Sequence, residues 1–238
     1  MKIITWNCNM AFRKKAEFIL TYKPDILIIA ECEHPEKLIF PAETPKPTQT
    51  LWFGKNKNKG LAIFSYSNLE FRVLDIYNPD FKMIIPITVT GGYFDFNLFA
   101  VWAYNPIDKD GKYITQVWKA INYYDRLIRD NSTILIGDFN SNTIWDYKKH
   151  RLSNHSSVVT ALEEMGIFST YHLHHKQTQG KEQHPTYFMY RHLNKAYHID
   201  YCFASRNLLD KLENVEIGTH EQWTSFSDHN PLIVSFKD

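Results

Sequence analysis

The stretch Ile134-Leu135-Ile136-Gly137-Asp138-Phe139-Asn140 runs from branched apolar side chains through a glycine to an acid and an amide. A short run of this kind reads as a buried strand, and the carboxylate marks where the chain leaves the core. The pattern recurs twice. Asn7 follows Ile3-Ile4-Thr5-Trp6, and Glu31 follows Ile26-Leu27-Ile28-Ile29-Ala30. Strand C-termini in α/β sheets are where ligand sites collect, because polar side chains there can face a crevice. For any one of these residues a plain turn is the commoner explanation, since Asn and Asp bond nearby backbone. Three such endings together are harder to explain that way.

Further apolar runs predict strands at Lys2 to Trp6, Asp25 to Ala30, Leu61 to Tyr66, Met83 to Val89, Phe94 to Ala103, Thr133 to Phe139, Pro185 to Tyr190, His198 to Ala204 and Leu232 to Phe236. Gly91-Gly92 can supply positive φ angles, so residues 81–104 read as an antiparallel hairpin. Helical spacing appears at Phe12 to Tyr22, at Tyr113, Val117, Ile121, Tyr124 and Ile128, and at Val158, Ala161, Leu162 and Met165. Pro41 to Thr50, with three prolines, reads as a surface loop. The fold class is therefore α/β, with enough strands for two stacked sheets. No repeat or composition break divides the 238 residues, so one domain over 1–238 is expected.

Hydrophobic residues make up 44% of the chain, enough for a sizeable core. Three cysteines without a CxxC pair argue against a disulfide framework or a cysteine zinc site, and favour a reducing, cytoplasmic setting. Asn7 and Asn9 interrupt the first apolar run before a signal peptide could form, so no export signal is expected. The longest apolar run, Leu98 to Tyr104, is far below the ~20 residues that cross a bilayer, so no membrane partner is expected. A net charge of +1 means that any attraction to nucleic acid must come from a local patch.

The C-terminal segment adds Ser227-Asp228-His229 before the last strand, and Ile199-Asp200-Tyr201 opens the strand before it. Histidine titrates nearest neutrality, and a carboxylate on one ring nitrogen would fix its tautomer. Asp200 is the candidate for that carboxylate. Carboxylate and amide oxygens also suit Mg²⁺, a hard cation.

In order, Thr5-Trp6-Asn7, Asp25 to Glu31, Gly137-Asp138-Phe139-Asn140, Ile199-Asp200-Tyr201 and Ser227-Asp228-His229 resemble the endonuclease/exonuclease/phosphatase superfamily, in the manner of exonuclease III, apurinic/apyrimidinic endonucleases and pancreatic deoxyribonuclease. The resemblance spans residues 2–236. It implies a four-layer α/β/β/α sandwich of two stacked mixed β-sheets flanked by helices, with the active site at one end. It places Asn7, Glu31 and Asp228 around Mg²⁺, for which Mn²⁺ could substitute. Asp138 and Asn140 would position or activate the attacking water, Asp200 would orient His229, and Tyr104 would lie beside the phosphate. Whether Asp138 or His229 takes the proton stays open. Ala30 stands where relatives commonly have Gln, and Met10 where many have Gly. Glu33, two residues beyond Glu31, would share its face on an extended strand and is a possible substitute or second-metal ligand.

The expected activity is hydrolysis of a phosphodiester by in-line attack of water, with DNA the substrate and no obligatory protein partner. A phosphatase or phosphodiesterase acting on a lipid headgroup or small molecule, an RNA nuclease, and an inactive scaffold are the alternatives. Lys148, Lys149 and Arg151 after Trp145 and Tyr147 are candidate substrate contacts; Lys55, Lys57 and Lys59 are weaker ones. A solvated loop would explain either cluster equally well. His172, His174, His175 and His184 could suggest zinc, but no cysteine or carboxylate spacing accompanies them, and a solvent-facing edge or an approach to substrate is the preferred reading. Core packing is expected of Trp6 and of the Thr186-Tyr187 pair.

Overall fold

The computed structural model describes residues 1–104, 113–146 and 153–237. In chain order the strands are β1 (Lys2–Asn7), β2 (Ile26–Cys32), β3 (Gln49–Asn56), β4 (Lys59–Ser65), β5 (Glu70–Val73), β6 (Ile84–Thr90), β7 (Phe96–Trp102), β8 (Thr133–Asp138), β9 (Ile167–Ser169), β10 (Tyr187–Phe188), β11 (Ala196–Tyr197), β12 (Asp200–Ser205), β13 (Leu212–Ile217) and β14 (Leu232–Phe236). The main helices are α1 (Ala16–Leu20), α2 (Ile114–Tyr123), α3 (Asp125–Arg129), α4 (His155–Glu164) and α5 (Thr170–His175). One six-stranded sheet has the order β13-β14-β1-β2-β4-β3 and the other β5-β6-β7-β8-β12-β9, while β10 and β11 pair separately. Both large sheets are mixed: β1 runs parallel to β2 and β7 parallel to β8, with the other pairings antiparallel.

Alternation along each strand builds three apolar layers. Ile3, Ile26 and Ile28 meet Leu98, Ile134, Ile136 and Cys202 between the sheets. Ile4, Trp6, Leu27 and Ile29 face outward onto Ala16, Ile19 and Leu20 of α1. On the other side Phe99, Val101, Leu135 and Phe203 pack on Val117 and Ile121 of α2, Ile128 of α3 and Val158 and Leu162 of α4. Burial on both faces explains why the central strands read as continuous apolar runs rather than alternating ones. The result is the expected four-layer sandwich. Among the described residues no helix is long and apolar enough to cross a membrane.

Several expected elements are shorter than their periodicity suggested. Phe12 to Tyr22 is a 3₁₀ turn, Phe12–Lys14, followed by α1, because Lys15 leaves helical geometry at φ −127°. The Tyr113 to Ile128 helix divides at Tyr124, whose buried ring brings its hydroxyl to accept from Asn78 N at 2.9 Å. The Pro185 to Tyr190 strand keeps only Tyr187–Phe188, since Tyr190 and Arg191 turn left-handed at φ 56° and 61°.

Topology gathers the site at one end. With β1 parallel to β2 and antiparallel to β14, Asn7 and Glu31 at the strand ends lie beside the residues that lead into β14. In the second sheet Asp138 is paired with both Trp102 and Asp200.

Candidate active site

Gly137 sets up the end of β8. It has φ 148°, and a Cβ there would lie 1.8 Å from the carbonyl oxygen of Val101, so only glycine permits β7 and β8 to approach as they do. The next residue, Asp138, is buried and receives three hydrogen bonds. Asn7 Nδ2 donates to Oδ2 at 3.1 Å, bridging the two sheets. Asn140 donates its backbone N to Oδ1 and its Nδ2 to Oδ2, both at 2.9 Å. Asn140 reaches back this way from φ 48°, a conformation asparagine tolerates better than most residues.

Glu31 is the extra residue of a β-bulge in β2, between the pairs Ala30–Leu61 and Cys32–Gly60, and has φ 62°. Its Oε1 lies 2.9 Å from Lys59 Nζ and 3.5 Å from Asn7 Nδ2. The bulge breaks the strand's alternation, which corrects the expectation for Glu33. Rather than sharing a face with Glu31, Glu33 is buried and accepts from Phe12 N at 2.7 Å and Arg13 Nη1 at 2.7 Å. It anchors the loop after β1.

His229 Nδ1 donates to Asp200 Oδ2 at 2.9 Å with both groups buried. The backbone around them is fixed from several directions. Thr186 Oγ1 accepts from Ile199 N and Asp200 N, both at 3.0 Å. Trp6 Nε1 donates to His229 O at 2.8 Å, and Ser227 Oγ donates to Asn7 O at 2.7 Å while accepting from His229 N at 3.0 Å. Asn9 Nδ2 holds Asp228 Oδ1 at 3.2 Å. The ring of Tyr187 lies 4.7 Å from that of His229, centroid to centroid.

Ligating atoms of Asp138, Asp200 and His229 all lie within 4.8 Å of one another. Burial and the Asp200 charge push the Asp138 carboxyl up from the usual range, a rise that His229 partly relieves. Burial alone would pull His229 down, but Asp200 and Asp138 outweigh it and push the imidazole up. The two shifts run in the same direction for opposite reasons: one acid finds its anion crowded, and one base finds its cation wanted.

His229 borders a cleft of about 470 Å³ together with Asn7, Glu31, Asn140 and Asp228, while Asp138 and Asp200 are buried and do not line it. Trp102, Tyr104 and Tyr187 form its aromatic walls, and Lys55 and Lys59 its basic rim. The residues fit a hard divalent cation. Glu31, Asp228 and the Asn7 amide offer oxygens to one cleft, Asp200 Oδ1 is buried without a partner, and no thiolate faces the cleft, a donor set that suits Mg²⁺ or Mn²⁺ over zinc. The cluster of Asp138, Asp200 and His229, with His229 and Asp200 spent on each other, differs from the expected ligand set and meets it at the cleft through His229.

All the motif residues expected at the site are thus brought together: Asn7, Glu31, Asp138, Asn140, Asp200, Asp228 and His229, with Tyr104 on the wall. Lys148, Lys149 and Arg151 lie outside the described residues. Of the other lysine cluster, Lys57 pairs with Glu36, Lys55 is exposed at the cleft, and Lys59 reaches Glu31. Of the four histidines, His174 and His184 are exposed, in keeping with a solvent-facing position, whereas His172 and His175 are half-buried. His172, His174 and His175 belong to α5; His172 is held by Ser169 and Glu182, and His184 by Tyr171. Trp6 packs in the core against Trp223. Thr186 and Tyr187, expected to be core packing, instead brace Asp200 and cover His229. Asn9 carried no signal of a part in the site; Ser227 was marked only as a member of the Ser227-Asp228-His229 motif, Tyr187 only as core packing, and Lys59 only as one of a basic run, so that their contacts with Asp228-His229, the His229 ring and Glu31 are read from the fold.

The sequence matches the Endonuclease/Exonuclease/phosphatase family over residues 4–229. No match was found among curated proteins. Among solved structures, the 3′-5′ exonuclease NExo from Neisseria meningitidis is 21% identical, with complete coverage of both chains and a TM-score of 0.68. A structure of 3′ phosphatase NExo from Neisseria bound to product DNA hairpin gives 22%, complete coverage of both and 0.69. An AP endonuclease from Archaeoglobus fulgidus gives 19%, complete coverage of both and 0.70. At these identities the likeness is one of fold.

Proposed function

The chain belongs to the Endonuclease/Exonuclease/phosphatase family of metal-dependent hydrolases, and on that premise we propose that it is a Mg²⁺-dependent nuclease that hydrolyses phosphodiester bonds of DNA. The observation that carries this reading is the convergence of residues 7, 31, 140, 228 and 229 on one cleft at one end of the sandwich, with Asp138 hydrogen-bonded to Asn7 and Asn140 and Asp200 to His229. The descriptions of its structural neighbours, a 3′-5′ exonuclease, a phosphatase bound to product DNA and an AP endonuclease, favour DNA over a lipid or inositol phosphate.

Glu31, Asp228 and Asn7 would hold Mg²⁺, which when bound supplies charge neutralisation at the phosphate oxygens. The rest falls to the chain's own side chains. Asn140 holds the attacking water. Asp138, pushed up toward neutrality, takes its proton, which favours it over His229 as general base. His229, kept cationic by Asp200, steadies a non-bridging phosphoryl oxygen. Tyr104 and Tyr187, on the cleft walls, flank the phosphate.

The test is hydrolysis of single-stranded DNA, plasmid, abasic duplex, RNA and a chromogenic diester, with and without Mg²⁺. Asp138→Asn and His229→Ala should each lower kcat by roughly a hundredfold or more. Near-normal turnover by both would end the mechanism; activity confined to an inositol phosphate or a lipid would remove DNA while sparing it.

A further inference from the structure

The cleft does not end at Tyr104. Beyond it opens a groove of about 760 Å³, and Lys55, Met83 and Tyr104 border both spaces. The end of β3 forms one side with Phe53 and Lys55, the β5–β6 connection forms another with Tyr77 and Phe81, and Gln116 of α2 borders it. Phe53 and Tyr77 pack edge to face at 5.9 Å.

Gln116 is only 7% exposed, and its Oε1 is sealed from solvent with no hydrogen-bond partner. A buried carbonyl left so costs about 1–3 kcal/mol, and an unsatisfied group of this kind calls for an explanation. Gln116 borders a groove that has aromatic walls and Lys55 at its mouth, and whose lining also includes Asp80, Lys82 and Lys119. A lipid chain would waste the amide and the ammonium. A base within a duplex has its Watson–Crick edge already engaged. An unpaired base offers all three complements: a flat face for the rings, an edge for the amide as glutamine meets adenine, and a flanking phosphate for the lysine.

We propose that this groove binds one unpaired nucleotide of the substrate strand next to the scissile phosphate, with Gln116 on the base edge, Tyr77 and Tyr104 against its face and Lys55 at its phosphate. The assignment rests on the nuclease reading, and makes the preferred substrate single-stranded or frayed at that position.

The experiment uses the full-length Asp138→Asn protein, so that the strand stays intact, and walks 2-aminopurine along a single-stranded oligonucleotide. Emission should fall several-fold at one position adjoining the reactive bond. Lys55→Ala and Gln116→Met, each made in that background, should weaken single-strand binding roughly five- to tenfold and abolish the quenching. Lys55 is exposed, so its variant keeps the test decisive if Gln116→Met fails to fold. A signal at no position, or parental binding by a folded variant of either kind, overturns the groove. The outcomes separate cleanly: a parent chain that cleaves DNA while Lys55→Ala and Gln116→Met, made singly in the chain that retains Asp138, keep its KM refutes the groove alone, whereas a parent chain inert on all nucleic acid removes the nuclease reading and the groove with it.

Discussion

Lys59 sits where a second cation would settle. Its ammonium is 2.9 Å from Glu31 Oε1 and 5.4 Å from the centre of the Trp102 ring, so it neutralises a carboxylate that a divalent ion would also seek. The pair is partly exposed, which limits its worth to about 1 kcal/mol or less. Lys59→Met should therefore tighten Mn²⁺ binding about two- to fivefold at low salt, read by electron paramagnetic resonance without substrate, and weaken oligonucleotide binding. Unchanged Mn²⁺ affinity would show that lysine and metal do not compete. At this scale the sequence was legible where chemistry is concentrated at strand ends: Asn7, Glu31, Asp138, Asp200 and His229 are each announced by the apolar run beside them. It was silent where a side chain arrives from across the cleft. Nothing in Asn56 to Gly60 says that Lys59 and not Lys57 turns inward, because the hairpin's register decides which of the alternate lysines faces Glu31. Glu33 was misread for a related reason, since a bulge leaves no mark in composition.

The strands divide the same way. The eight interior strands, β14, β1, β2 and β4 in one sheet and β6, β7, β8 and β12 in the other, all announce themselves as apolar runs, whereas the four edges, β13, β3, β5 and β9, do not. An edge has one flank open to solvent and keeps polar residues, as Leu212–Ile217 does with Glu213, Asn214 and Glu216. The helices were legible as faces and not as lengths, because their breaks at Lys15 and Tyr124 come from tertiary packing. Where an element is pinned by one residue, substitution should tell. Gly137→Ala would drive a methyl into the Val101 carbonyl and force β7 from β8, at a cost of roughly 3 kcal/mol or more. Urea unfolding measures this directly; a midpoint within error of the parent would mean that the two strands can part freely.

For the molecule as a whole, acid should act before the carboxylates titrate. Burial pulls His155 and His198 down to about 4. The native state therefore keeps both neutral while the unfolded chain protonates near pH 6.5. More protons bound in the unfolded state means that stability falls as pH drops from about 6.5 to about 4, by up to roughly 3 kcal/mol per histidine, and no further from these two below that. Asp138, pushed up in the fold, works the other way in this window, so the histidines are read by difference: His198→Gln, which leaves one of the pair, should lose less of its urea midpoint than the parent between about pH 6.5 and about pH 4, and superimposable pH profiles would contradict the burial. Long-range closure matters as much as charge. The first strand lies beside the last, β1 against β14, and Trp6 and Asn7 are bonded to His229 and Ser227. A fragment cut before Ser227 would consequently leave one flank of β1 open and carry Asp200 without its imidazole, so that the two ends of the fold must meet before the site exists at all.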